Sequence, residues 1–507
     1  MKYKQNGKID WAITIIPLVS IGLLSLFFFF SPERSNHLLG EVRFFLGNTL
    51  GSFYILMGLG FFLVSIYMCF SKYGNIVLGG IGEKPKYSFF TWGSLMFTCG
   101  LAADILFYSF SEWIMYASNP HISELGSFQA WAPVFPMFHW SFIPWAFYLV
   151  LAVCFGFMMH TRAQSRQRFS EACRSILGSH TDGILGRIID LFAVFALLAG
   201  TATTFSVATP LMTSIIQCLF GVVLERRIIT IVIILLTCAV YTYSLLHGFK
   251  GMSILAKACI YLLFGLILFV FVFGGQARFI IETGIESFGR MVQNFIGLST
   301  YLDASRTTGF AQDWTIYYWA YWMVWCVAAP FFIGNISQGR TIKQTILGGY
   351  VFGVGSTIVC FVVFGNYSLG LQVSGIADFI SDYCLSGDIY KIIIEIVETI
   401  SMPKVSLVWI LVTMVAFYAT SFDSIAYTAS CYSYKRLEMN EHPNKLVQFL
   451  WCILLIVLPI ALVFSDSSMS SIQTVSIIAA FPIGIIMALI VFSFFKDAKE
   501  YFRESNP

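Results

Sequence analysis

Residues 313–335 read DWTIYYWAYWMVWCVAAPFFIGN. The run is apolar enough, and long enough, to cross a hydrocarbon core of about 30 Å, which takes about 20 residues of helix. Trp314, Tyr317, Tyr318, Trp319, Tyr321, Trp322 and Trp325 crowd its first turns. Trp314 and Tyr318 share a helical face at i,i+4, as Trp322 and Trp325 do at i,i+3. The last two fall near mid-span, where an interfacial aromatic belt has no place. Pro330 follows Ala328 and Ala329. A proline there removes an intrahelical hydrogen bond, so the span is either kinked or opened.

The rest of the chain has the same character. Of its 507 residues 58% are hydrophobic and only 11% charged, against roughly 25% charged in soluble domains. So little charge cannot solvate a surface unless most of that surface faces lipid. Eleven further apolar runs lie near 11–30, 53–70, 89–116, 138–159, 188–212, 228–246, 258–276, 346–364, 405–430, 446–464 and 472–495. The first, Trp11–Phe30, is too long for a signal-peptide core and reads as an uncleaved helix. The fold class is therefore an all-α membrane protein of about twelve spans. That number places 21 of the 30 Lys and Arg on the side of the two termini and 9 on the other. The excess predicts cytoplasmic termini in a multi-pass cell-membrane protein.

The net charge of +3 offers nothing to nucleic acid. The 12 cysteines are scattered singly without C-x-x-C spacing, as small buried hydrophobes are. Seven histidines form no i,i+4 pair, and no nucleophile motif or phosphate loop stands out, so an enzyme is not expected and no cofactor or resident metal is implied. A carrier is the first reading; a substrate-gated channel or sensor is its rival.

Transporters place broken helices at matching points of two halves, because freed backbone groups there bind ions and substrate. Span three, TWGSLMFTCGLAADILFYSFSEW (91–113), has Gly100, Ala102 and Ala103 directly before an acid, Asp104. Spans three and eight are five apart, as two five-helix repeats require. Span four carries FHWSFIPWAFY (138–148), with Trp140, Trp145 and Tyr148. A quaternary ammonium has no N–H to donate and is held by aromatic faces, so these tryptophans suit a trimethylammonium compound; ordinary packing is the alternative. In the outer loop, RFIIETGIESFGRMVQNFIGL (278–298) sets Ile280, Ile281, Ile285, Phe288, Val292, Phe295 and Ile296 at helical spacing on one side. This is a helix lying on the membrane surface or one covering the protein's own loops.

The span-eight string followed by NISQGRT (335–341), FHWSFIPW, TSFDS (420–424) and the closing FKDAKE (495–500) resemble the betaine/choline/carnitine transporter family over essentially the whole chain. The resemblance implies a fold similar to the leucine transporter. Residues 1–88 would be two leading helices, 89–276 a first five-helix repeat, 277–313 an outer amphipathic connection, 314–495 the second repeat and 496–507 a short tail. It implies secondary uptake of choline, glycine betaine or carnitine, and a homotrimer in membrane lipid with the outer helix at its contacts. Carried over by position, it implies a cage of Trp140, Trp145, Tyr148, Trp322 and Trp325, with Trp314 at an outer aromatic site. Tyr321 stands where similar members have tryptophan, which reshapes the substrate site. The 335–341 loop lacks two expected arginines, and Met115 replaces a tyrosine of carnitine exchangers.

Asp104 stands where sodium-coupled betaine carriers have glycine and proton-coupled choline carriers have aspartate, so the resemblance implies proton symport. A direct contact to the substrate's cation and a structural acid are the other readings of an intramembrane carboxyl. Charged, it would favour choline over betaine by attraction. Sodium remains an alternative coupling ion. Thr420 and Ser421 match the family's second sodium site, with carbonyls near Thr98, Leu101 and Phe417 completing an oxygen shell. Such hydroxyls equally often back-bond to the preceding turn. Glu112 and Asp190 read as structural acids near helix ends. The short tail KDAKEYFRESNP, against the long basic extension of osmotically regulated members, predicts nutrient uptake rather than stress sensing.

Overall fold

A computed structural model describes residues 8–505 apart from 81, 165, 248, 436, 438–440, 466 and 468, and apart from the side chains of 249–256. Among them no strand forms, only the isolated bridges Ile9–Tyr434 and Val77–Thr341. Membrane-length apolar segments leave the backbone no other way to satisfy its N–H and C=O groups than helix. Among the described residues nine helices are long and apolar enough to cross a membrane, or eleven if each of two bent pairs is one span. One pair joins Ala311–Trp325 to Ala329–Ile336 at 57°. The other joins Lys257–Phe273 to Ala277–Gln293 at 112°. The predicted span 89–116 is divided into helices Phe89–Thr98 and Asp104–Ala117, each too short to cross alone.

Both divisions fall where the sequence weakens the helix. Residues Cys99–Ala103 separate the halves of the first, and Cys326–Ala328 those of the second. Pro330 does not kink a continuous helix; it occupies the first turn of Ala329–Ile336, where its missing N–H costs nothing.

The divided helices form the centre of the bundle. Every residue from Asp104 to Tyr116 is buried, as is every residue from Ile143 to Gly156, consistent with helices hydrophobic all round. The first helix, Trp11–Phe30, instead exposes Leu23, Leu26 and Phe30. Small residues let the central backbones touch. A Cβ on Gly334 would stand 2.7 Å from the Ala152 carbonyl, so helices Ala329–Ile336 and Phe142–Gly156 meet backbone to backbone.

Helix Ala277–Gln293 packs on the rest of the chain through its small residues. Thr283, Gly284, Ser287 and Met291 face inward, with Ile280, and a Cβ on Gly284 would meet Val362 at 2.8 Å. Ile281, Ile285, Phe288, Val292 and Ile296 are exposed. Apart from buried Ile280 and half-buried Phe295, the apolar stripe therefore points away from the chain, because the small residues are the ones that permit close packing on it. All 12 cysteines are free thiols.

Candidate functional site

The break at residues 99–103 starts a new helix at Asp104, deep in the bundle, with 1% of the residue exposed. The Tyr321 hydroxyl donates a hydrogen bond to Asp104 Oδ2. Tyr321 also shares a hydrogen bond with the Thr204 hydroxyl, which ties the divided span eight to helix Ile184–Phe220. Among the described residues Asp104 Oδ1 has no hydrogen-bond partner. The substitution of tyrosine for tryptophan at 321 thus brings a donor to the acid.

Beside this pair, spans four and eight bring four of the predicted aromatics together. Trp322 lies 4.9 Å from Tyr148, 5.6 Å from Trp140 and 6.2 Å from Trp145, centroid to centroid. Trp145 and Tyr148 are 5.8 Å apart and edge-on. Glycines make room for the ring of Trp145. A Cβ on Gly100 would stand 2.4 Å from it, and one on Gly353 2.3 Å. Trp325 is only partly buried. It meets Tyr321 edge-on at 6.3 Å and lies against Gly200, on the Asp104 side of the helix.

Tyr108, Tyr318 and Phe361 extend the cluster. All three rings lie within 5.7 Å of Trp140, and Tyr108 and Tyr317 share a hydrogen bond of 2.8 Å. Trp314 belongs to a second group of rings, edge-on to Tyr116 at 5.0 Å and parallel to Tyr318 at 6.5 Å. His139 and Phe310 complete that group. Tyr318 is thus the ring common to the two sites. Met115 is buried on the same helix as Tyr116.

Glu112 is not near a helix end. The helix restarts at Asp104 and runs to Ala117, so the acid sits mid-helix, 1% exposed, where its Oε1 accepts a 3.1 Å hydrogen bond from Trp140 Nε1. Its sequence signal was an acid eight residues after another in an apolar stretch. Asp190 is structural: Arg168 donates to it at 2.9 Å, with Ser170 beside it.

Of the groups matched to a sodium site, the Thr420 and Ser421 hydroxyls and the carbonyls near Thr98, Leu101 and Phe417, the Thr420 hydroxyl and the Thr98 and Phe417 carbonyls bond within their own segments. Thr98 donates to the Leu95 carbonyl at 3.0 Å. Thr420 donates to the carbonyls of Ala416 and Phe417 at 3.2 and 3.1 Å. The Leu101 N–H binds the Thr98 carbonyl, and Ser421 is half-buried. Both segments reach the same helix, through Phe97 stacked on Phe264 at 5.0 Å and Thr420 3.6 Å from Cys259.

In the 335–341 loop, where two arginines were missing, Gln338 donates to Glu83 at 2.5 Å. Arg340 lies over the Trp92 ring at 4.4 Å and donates to the Tyr87 carbonyl. Gly339 adopts φ +78° within reach of Lys84, so a side chain is excluded there.

The family model described as BCCT, betaine/carnitine/choline family transporter, matches residues 12–503. A probable glycine betaine transporter of Desulfitobacterium hafniense is 26% identical over 473 residues, 92% of this chain and 93% of the relative. A carnitine transporter of Acinetobacter baumannii is 26% identical over 430 residues, 83% of this chain and 76% of its own. An uncharacterized transporter of Escherichia coli, YeaV, is also 26% identical, covering 87% of this chain and 91% of its own length.

Proposed function

The chain belongs to the betaine/carnitine/choline transporter family, and from that premise we propose that it takes up a trimethylammonium compound, choline foremost, by proton symport. One observation carries this reading: Trp140, Trp145, Tyr148 and Trp322 converge beside an intramembrane carboxyl, Asp104, at the break of span three, that is hydrogen-bonded to Tyr321 of the divided span eight. A methylated cation offers no hydrogen to donate, so aromatic faces are the groups that attract it. Trp325 lies on the Asp104 side, where it would meet the cation's polar end.

Asp104 is the group on which a proton would ride. Bound to it, the proton leaves a neutral acid beside the cation; released, it leaves a charge that the Tyr321 hydroxyl stabilises. Helices divided at 99–103 and 326–328 support alternating access by two inverted five-helix halves, 89–276 and 314–495. The distribution of Lys and Arg supports cytoplasmic termini. The exposed row Ile281, Ile285, Phe288 and Val292 supports a trimer contact in the cell membrane. The ionisable carboxyl of Asp104 at the break favours the proton over sodium as coupling ion.

The test is uptake of labelled choline, glycine betaine and carnitine into proteoliposomes under a proton gradient or a sodium gradient, with Asp104→Gly alongside. Choline accumulation that needs the proton gradient and Asp104 supports the proposal. Accumulation driven by sodium alone and untouched by Asp104→Gly overturns it, and unsaturable flux without accumulation indicates a channel.

A further inference from the structure

Trp140 stands at the joint between two helices. Helix Val134–His139 ends just before it, helix Phe142–Gly156 begins two residues later, and Trp140 itself has φ −117° and ψ 16°. Its backbone N–H caps the first helix at the Pro136 carbonyl, 3.2 Å away, and its further anchors come from other helices. Thr357 donates to its carbonyl at 2.6 Å, and its indole N–H donates to Glu112 Oε1 at 3.1 Å. The other two fully enclosed cage indoles are held differently. Among the described residues Trp145 Nε1 and Trp322 Nε1 have no hydrogen-bond partner, and Trp145 is fixed by packing on Gly100 and Gly353.

Glu112 is as deeply buried as Asp104, yet the coupling scheme does not use it. Among the described residues no Lys or Arg pairs with it, its Oε2 makes no hydrogen bond, and the Tyr116 and Tyr318 side chains lie beside it. An acid in such surroundings is costly and is retained for what it does.

We propose that Glu112 is a positioning residue for the cage: by holding the Trp140 indole edge-on to Trp322, it sets the affinity for the trimethylammonium group and takes no part in coupling. Trp140 then has one ring orientation before substrate arrives, so binding does not have to order it. The inference rests on the proposed substrate class.

The experiment compares Glu112→Gln, which keeps an oxygen acceptor, with Glu112→Ala, which keeps none, alone and combined with Trp140→Phe, in reconstituted choline uptake. Glu112→Ala raises KM about tenfold, the loss of one well-placed aromatic face, with Vmax and the gradient requirement retained. Glu112→Gln stays within about twofold. Glu112→Ala adds nothing to Trp140→Phe, since both remove the same interaction. Equal damage from Gln and Ala, additive effects in the double variant, or a changed proton dependence with constant KM overturns the proposal. Should Glu112→Ala not survive purification, Glu112→Leu fills the same volume without an acceptor. If the unsubstituted protein transports no trimethylammonium compound, the affinity claim falls with the substrate reading. The anchor itself is then still read from tryptophan fluorescence: Glu112→Ala changes the spectrum, and the change vanishes in the Trp140→Phe background.

Discussion

Tyr321 donates its hydroxyl hydrogen to Asp104 Oδ2 across the divided centre of the bundle. Both are among the departures that the family resemblance marks, and they are partners in one hydrogen bond. A tryptophan at 321 has no hydroxyl to offer, and a glycine at 104 has no need of one. Thr204 extends the chain, so the acid is tied to the divided span eight and to helix Ile184–Phe220.

Tyr321→Phe leaves a buried carboxyl without its donor. An unsatisfied buried group costs about 1–3 kcal/mol, more when charged, so proton-driven choline uptake should fall at least about tenfold. Combined with Asp104→Gly the two changes should not add, because each removes the same pair. Additive losses in flux measurements would argue that Tyr321 acts on substrate independently.

Trp322 borders Trp140, Trp145 and Tyr148 at once. Trp322→Phe keeps a π face, while Trp322→Ala loses it and opens a cavity. Cation–π contacts contribute about 0.5–2 kcal/mol, so the alanine variant should raise KM for choline roughly tenfold and the phenylalanine variant severalfold. A neutral tert-butyl analogue of choline, as inhibitor, should be far less sensitive to these changes. Equal sensitivity of the two compounds would mean that the rings recognise shape alone.

The helix breaks were readable because glycine, alanine pairs and proline act locally, within a turn of where they stand. Trp140, Trp145, Tyr148 and Trp322 were readable as types, while their convergence depends on packing between spans four and eight. Trp325 shows the limit. Spacing of three placed it on the face of Trp322, but the helix stops at Trp325, and the ring lies against Tyr321 and Gly200. Glu112 reads as an acid near a helix end, while its burial and its bond to Trp140 depend on packing against span four. The span count is similarly blurred, since Phe89–Thr98 and Asp104–Ala117 are each too short to register as a crossing.

Gly100 and Gly353 enclose the Trp145 ring from two sides. Alanine at either position puts a methyl group inside van der Waals contact with a buried ring that cannot retreat. Overpacking costs about 1–3 kcal/mol, and here it should appear as lost uptake with correctly inserted protein. Gly355→Ala, with nothing within 4 Å of its Cβ, is the control and should transport normally. Normal transport by Gly100→Ala would show that the ring has room to move.

Thr420 spends its hydroxyl on the Ala416 and Phe417 carbonyls. Thr420→Val therefore removes a bond internal to the helix and a weak contact to the Cys259 thiol. Proton-driven uptake should stay within about twofold, since such back-bonds contribute little. External sodium should neither stimulate the parent nor distinguish the variant. Sodium-dependent uptake abolished by Thr420→Val would transfer coupling to the oxygen shell of Thr98, Leu101, Phe417, Thr420 and Ser421.

Arg168 and Asp190 form an ion pair at 2.9 Å with side chains 5% and 2% exposed. Arg168 also donates to the carbonyls of Tyr432 and Tyr434, and Asp190 accepts from the Ser170 backbone and hydroxyl. The pair thus joins the loop after span four, helix Ile184–Phe220 and the end of helix Pro403–Tyr432. Removing one member of a buried pair costs about 3–5 kcal/mol, because the survivor keeps its charge without compensation. Arg168→Met should accordingly lower the melting temperature of the purified protein sharply. Arg168→Met with Asp190→Asn should recover part of that loss, although the two carbonyls still lack their donor. A double variant less stable than Arg168→Met would mean that Asp190 stabilises the loop chiefly through Ser170, independently of the arginine.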